Sequence, residues 1–121
     1  MDPVLPFSLV MIALMAVKFR SFKLFDELLE HIHTQRPDQW EELGRPLGYF
    51  WRPDLPDVST LHGMAARRRL THAWLSTTPD WMPEGGPEQV KLAAWRLTFW
   101  ASWVGIALVG AALAVLGLLS T

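Results

Sequence analysis

The sequence predicts an all-α membrane protein with two transmembrane helices, one near each end, and a polar helical segment between them. Three observations predict it. From Leu97 to Thr121 there are 25 residues without a charged side chain. As a helix that run is roughly 37 Å long, enough to cross a hydrocarbon core of about 30 Å with some tilt. A second uncharged run, Pro3 to Val17, holds 15 residues and would span about 22 Å. The third observation is the segregation of charge. All 11 Lys and Arg, all four His and every acidic residue but Asp2 lie between Lys18 and Arg96. A single soluble core does not require that segregation.

The first element, residues 4–19, is the N-terminal span. Its shortness is offset by Pro6 in the first turn, where a missing N–H costs nothing, and by Lys18, whose stem can reach the interface. The alternative is an interfacial helix that does not cross. A cleaved signal peptide fits less well, because Asp2 makes the start acidic and the positives Lys18, Arg20 and Lys23 follow the apolar run. From residue 20 to about 34 the helix continues as an amphipathic one. Phe22, Phe25, Leu29 and Ile32 recur at helical spacing, widened by Leu24 and Leu28, while Lys23, Asp26, Glu27 and Glu30 form an expected solvated face. Pro37 ends it. A short helix is expected over 38–43, capped by Asp38 and stopped by Gly44. The stretch LGYFWRPDLPD reads as loop.

A further helix is expected over 60–76, capped by Ser59 or Thr60, before Pro79, Pro83, Gly85 and Gly86 interrupt the chain. The last helix opens at Pro87, with Glu88 at the positive end of its dipole. Residues 87–96 stand outside the membrane, with Val90, Ala93, Ala94 and Leu97 expected on the packing side. Residues 97–120 form the second span. Trp95, Trp100 and Trp103 fall where this helix enters the bilayer and are expected as interfacial anchors. Trp40, Trp51, Trp74 and Trp81 are expected to build a small aromatic core under the loops.

Charges flanking the spans set the orientation. Lys18, Arg20 and Lys23 follow the first span, and Lys91 and Arg96 precede the second. Positive flanks stay in the cytoplasm, so the middle, 20–96, is expected inside and both termini outside a bacterial inner membrane.

The order of features is: an N-terminal span, the basic amphipathic run KFRSFKLFDELL, RPDQW, LGRPLGYFW, the basic helix AARRRLTHAWL, and a final span entered through Arg96. In this order the chain resembles the universal stress protein B family of small two-span bacterial inner-membrane proteins. The resemblance implies a link to general stress and stationary phase, with no settled biochemical activity and no catalytic residues to carry over. The stretch STTPDWMPEGGPEQ is longer than that family's layout requires.

Chemistry-bearing patterns are sparse. His31 and His33 are two apart on a helix and diverge, so no metal site is expected. No phosphate loop, serine elbow or HExxH pattern occurs, and no catalytic residue or cofactor is expected. A middle segment of zero net charge argues against nucleic acid. Arg67, Arg68 and Arg69 read either as a solvated face or as contacts to anionic lipid headgroups. Ala107, Gly110, Ala114, Gly117 and Thr121 recur at three, four, three and four, a strip of small residues that lets another helix approach. Its partner is either the chain's own first span or another membrane protein, a second copy included. The reading is a non-enzymatic accessory membrane protein. The rival is a membrane-bound enzyme or ligand-binding protein using the Trp- and His-bearing middle.

Overall fold

The computed structural model describes residues 4–120; Asp2, Pro3 and Thr121 lie outside them. The described chain is all-helical: α1 (Val4–Gln35), α2 (Pro37–Glu42), α3 (Thr60–Ser76) and α4 (Pro87–Ser120). α1 and α4 are both long and apolar enough to cross a membrane, and only 6% of the most apolar window of each is buried. That low burial separates them from the core helices of a soluble domain. Their apolar faces are uncovered by the chain itself.

The two long helices form an antiparallel hairpin. Its register is fixed by a ladder of contacts. Leu14 meets Gly105, Lys18 lies over the Trp103 ring, Phe25 meets Trp95, Lys91 pairs with Glu27, and His31 bonds Glu88. At Gly105 any Cβ would collide with the Leu14 side chain. The glycine therefore sets how closely the two helices approach at that level.

The core sits entirely in the polar half of the hairpin. α1 contributes Leu24, Phe25, Leu28, Leu29 and Ile32, all buried, so the stripe of apolar residues faces inward. α4 packs through a different face from the one expected. Val90 and Leu97 are exposed, and the buried side chains are Glu88, Leu92, Trp95 and Ser102. The larger Leu and Trp side chains remove more apolar area from water than Ala93 or Ala94 could, and they set the rotation of the helix. α3 adds Ala66, Leu70 and Trp74; Trp40, Leu47, Val58 and Met82 close the core from α2 and the loops.

Local chemistry explains the ends. α2 starts at Pro37, one residue before the expected Asp38 cap, because proline at the first helical position loses no hydrogen bond. No side chain caps it. Ser59 caps α3, its Oγ accepting from the His62 amide at 3.3 Å. At the other end of α3, Arg96 Nε donates to the Trp74 carbonyl at 2.6 Å, filling one of the acceptors a helix C-terminus leaves open.

Candidate functional site

The most organised polar feature is a carboxylate buried at the centre of the loop packing. Asp26 is 7% exposed. Its Oδ1 accepts the Tyr49 amide at 2.6 Å, and its Oδ2 accepts the Phe50 and Trp51 amides at 2.7 and 2.9 Å. Three consecutive N–H donors thus converge on one charge, which is what makes its burial affordable. Gly48 completes the fit, since a Cβ there would collide with the same carboxylate. The turn also closes on itself through the Gly48 amide and the Trp51 carbonyl at 3.1 Å. Arg67 holds it from the other side. Its Nη1 donates to the Gly48 carbonyl at 2.9 Å, and its guanidinium lies 4.3 Å from the Tyr49 ring centroid.

Around this turn the aromatic rings interlock. Phe22 stacks on Tyr49 at 4.0 Å, and Phe25 touches Tyr49, Trp74 and Trp95. His33 meets Trp40 edge-on at 4.8 Å and lies 5.5 Å from Trp51. The Trp40 indole donates to the Pro46 carbonyl at 3.0 Å. Trp40 and Trp74 are buried, while Trp51 and Trp81 pack partly covered against the core; Arg36 lies over the Trp81 ring at 5.2 Å.

Several ion pairs tie the elements together. His31 Nε2 and Glu88 Oε1 stand 2.7 Å apart, with the Arg36 guanidinium 4.0 Å from the same oxygen. Arg45 bridges Glu41 at 2.7 Å and Asp57 at 3.0 Å. The hydrogen bonds to Glu41 and then Asp57 push the Arg45 guanidinium still further above its ordinary value, and the Arg45 hydrogen bond draws Asp57 below the usual carboxylate range. Among the described residues, no three His, Cys, Asp or Glu side chains converge on a metal-sized site.

At the apolar end of the hairpin, the helices splay beyond Leu14 and Gly105. They leave an open cleft of about 480 Å³ lined by Val4, Phe7 and Val10 on one side and Val109, Leu113 and Leu116 on the other. Comparison of the chain with protein-family models, with curated proteins and with solved structures finds no match.

The residues singled out from the sequence fall in distinct places. Of the three expected anchors, Trp95 is 1% exposed and belongs to the core, because the ring reaches between Phe25 and Trp74 before the helix leaves the packed region. Trp100 and Trp103 are exposed. Of the three arginines, Arg67 is engaged by Gly48 and Tyr49, while Arg68 and Arg69 lie on the outer face of α3. In the small-residue strip, Ala107, Gly110, Ala114 and Gly117 are all exposed, and Cβ atoms built on Gly110 and Gly117 would meet nothing within 4 Å. The strip therefore points away from α1, and the close approach to α1 occurs at Gly105 instead. The sequence places Asp26 on a solvated face, and the structure buries it. It lies four residues after Phe22 and three before Leu29, on the margin of the apolar stripe, and that position is the signal that could have found it.

Proposed function

We propose that the protein is a non-enzymatic, stress-associated accessory protein of the bacterial inner membrane, of the universal stress protein B type. α1 and α4 cross the bilayer within residues 4–19 and 97–120, entering it at the level of Lys18 and Trp103. Residues 20–96 form a cytoplasmic module, and both termini face outward. The observation that carries this reading is how the polar groups of the module are used. Asp26 is occupied by three backbone amides, Arg67 by the same turn, Arg96 by the end of α3, and His31 by Glu88. These groups build a rigid body around a solid aromatic core, the arrangement a docking module needs. The uncovered apolar windows of α1 and α4 supply the membrane contact, and the charge flanks supply the orientation.

The module then acts by contact. Arg68 and Arg69 on α3 are available to anionic headgroups or an acidic partner surface. The strip of Ala107, Gly110, Ala114 and Gly117 is available to another membrane helix, including that of a second copy. Size analysis and co-purification in mild detergent test this. The expected result is a self-associated or partner-bound species that diminishes in Gly110→Leu or in the double variant Arg68→Glu, Arg69→Glu. A wild-type monomer with no partner, unchanged by either variant, would contradict the proposal.

A further inference from the structure

The turn at Tyr49–Trp51 has an unusual combination of rigidity and exposure. Its backbone is held by the Asp26 carboxylate and by Arg67, yet the Phe50 side chain at its tip is 65% exposed. A phenyl ring with no role in the core could have turned elsewhere; here the turn is locked so that it points outward. It is not isolated. Phe50 stacks on Phe19 with centroids 5.8 Å apart and planes 6° apart, and it meets Phe22 edge-on at 6.1 Å. Phe19 is itself 54% exposed.

Phe19 ends a continuous exposed strip on α1. Leu5, Ile12, Met15 and Phe19 are spaced seven, three and four apart and are all exposed. That strip lies along residues 4–19, the segment assigned to the bilayer. Lys18 and Arg20 flank Phe19, and the Lys18 ammonium lies 3.9 Å from the centroid of Trp103 on α4. A lysine, an arginine and an exposed tryptophan at one level are the residues that settle at lipid headgroups. Phe50 extends the lipid-facing strip at that level with a residue from outside the helix.

We propose that the Phe50 turn is a second, non-helical contact with the membrane, its ring seated at the boundary of headgroups and acyl chains beside Phe19. The occupant of this surface is lipid. The contact fixes how the module sits on the bilayer, because the Asp26 clamp transmits the position of the turn to α1 and Arg67 transmits it to α3. This inference rests on the membrane reading of α1, and the test separates the two.

The chain has no cysteine, so single nitroxide labels can be placed cleanly. Phe50→Cys and Phe19→Cys report the proposed contact. Ile12→Cys is the lipid reference, and Leu61→Cys, 80% exposed on α3, is the aqueous one. The labelled proteins are reconstituted at low protein-to-lipid ratio in vesicles of phosphatidylethanolamine and phosphatidylglycerol. Accessibility to oxygen and to a water-soluble nickel chelate is then read by power saturation. The expected result is that labels at 50 and 19 stay open to oxygen, though less so than Ile12 deeper in the bilayer, and are several-fold less open to the chelate than Leu61. A label at 50 as open to the chelate as Leu61 would overturn the inference. So would a label shielded from both reagents, which would mean that protein covers the turn. A chelate-accessible Ile12 would remove the membrane reading of α1, and this inference with it.

Discussion

Asp26 shows how much of the module one side chain organises. Removing its carboxylate would strand three amide donors that have no other acceptor within the packed turn. Hydrogen bonds to a charged group are worth more than neutral ones, and a part-buried donor left without its acceptor bears part of its desolvation cost. Asp26→Ala is expected to destabilise the fold by roughly 3 kcal/mol. Hydrogen exchange at Tyr49, Phe50 and Trp51 should accelerate before that of α1; unchanged protection there would contradict the role assigned to Asp26. Trp95 gives a second residue-level test. As a core side chain touching Phe25, Trp74 and Phe99, its replacement by Ala should cost about 3–5 kcal/mol. Trp100→Ala, at an exposed position, should leave the unfolding midpoint in detergent nearly unchanged. Equal losses would contradict the placement of Trp95 inside the core and Trp100 outside it. Neither the partners of Asp26 nor the burial of Trp95 could be read from local pattern alone. Asp26 reads as one of three acids on a helix face, and only the arrival of a loop more than twenty residues later gives it partners. Trp95 stands one residue before Arg96, so a belt at the membrane entrance is the natural reading, yet the register of the hairpin carries it inside. At the surface, the Arg45 bond holds Asp57 below the ordinary carboxylate range. A depressed folded value means the pair's contribution is present above the unfolded value and is lost as pH falls through the folded one. A carbon-13 titration of Asp57 should therefore move upward in Arg45→Gln and stay put if the bond does not form in solution.

Among the elements, the two long helices were the most legible, because an unbroken uncharged run long enough to span a bilayer needs no tertiary information. Which faces of those helices meet each other was not legible. The strip of Ala107, Gly110, Ala114 and Gly117 is the most regular small-residue pattern on α4, yet the close approach to α1 occurs at Gly105. One small residue at the crossing point sufficed, and the large side chains below it chose the rotation. A leucine at Gly105 would have to displace Leu14. Overpacking of that kind costs about 1–3 kcal/mol, so Gly105→Leu should lower the unfolding midpoint of the hairpin and raise its protease sensitivity. Gly117→Leu should leave both unchanged, since open space surrounds that position; any effect it has should fall on association between chains. Val115→Leu is the suitable size control. Identical behaviour of Gly105→Leu and Gly117→Leu in the unfolding assay would contradict the observed crossing.

At the scale of the molecule, the hairpin divides into an apolar half with little internal burial and a polar half that holds the whole hydrophobic core. That division was visible in the distribution of charge. The composition of the core was partly visible too, in the α1 stripe from Leu24 to Ile32, whereas the contribution of Pro46, Leu47 and Met82 depends on loop paths that no periodicity encodes. The proposed function requires these halves to take one orientation across a bilayer. Ser59 sits at the start of α3 in the polar half and Ser120 ends α4 in the apolar half. With no native cysteine to interfere, Ser59→Cys and Ser120→Cys can each be treated in intact cells with a membrane-impermeant thiol reagent. The expected result is labelling at 120 without permeabilisation and labelling at 59 only after it. Labelling at 59 with protection at 120 would contradict the proposed orientation.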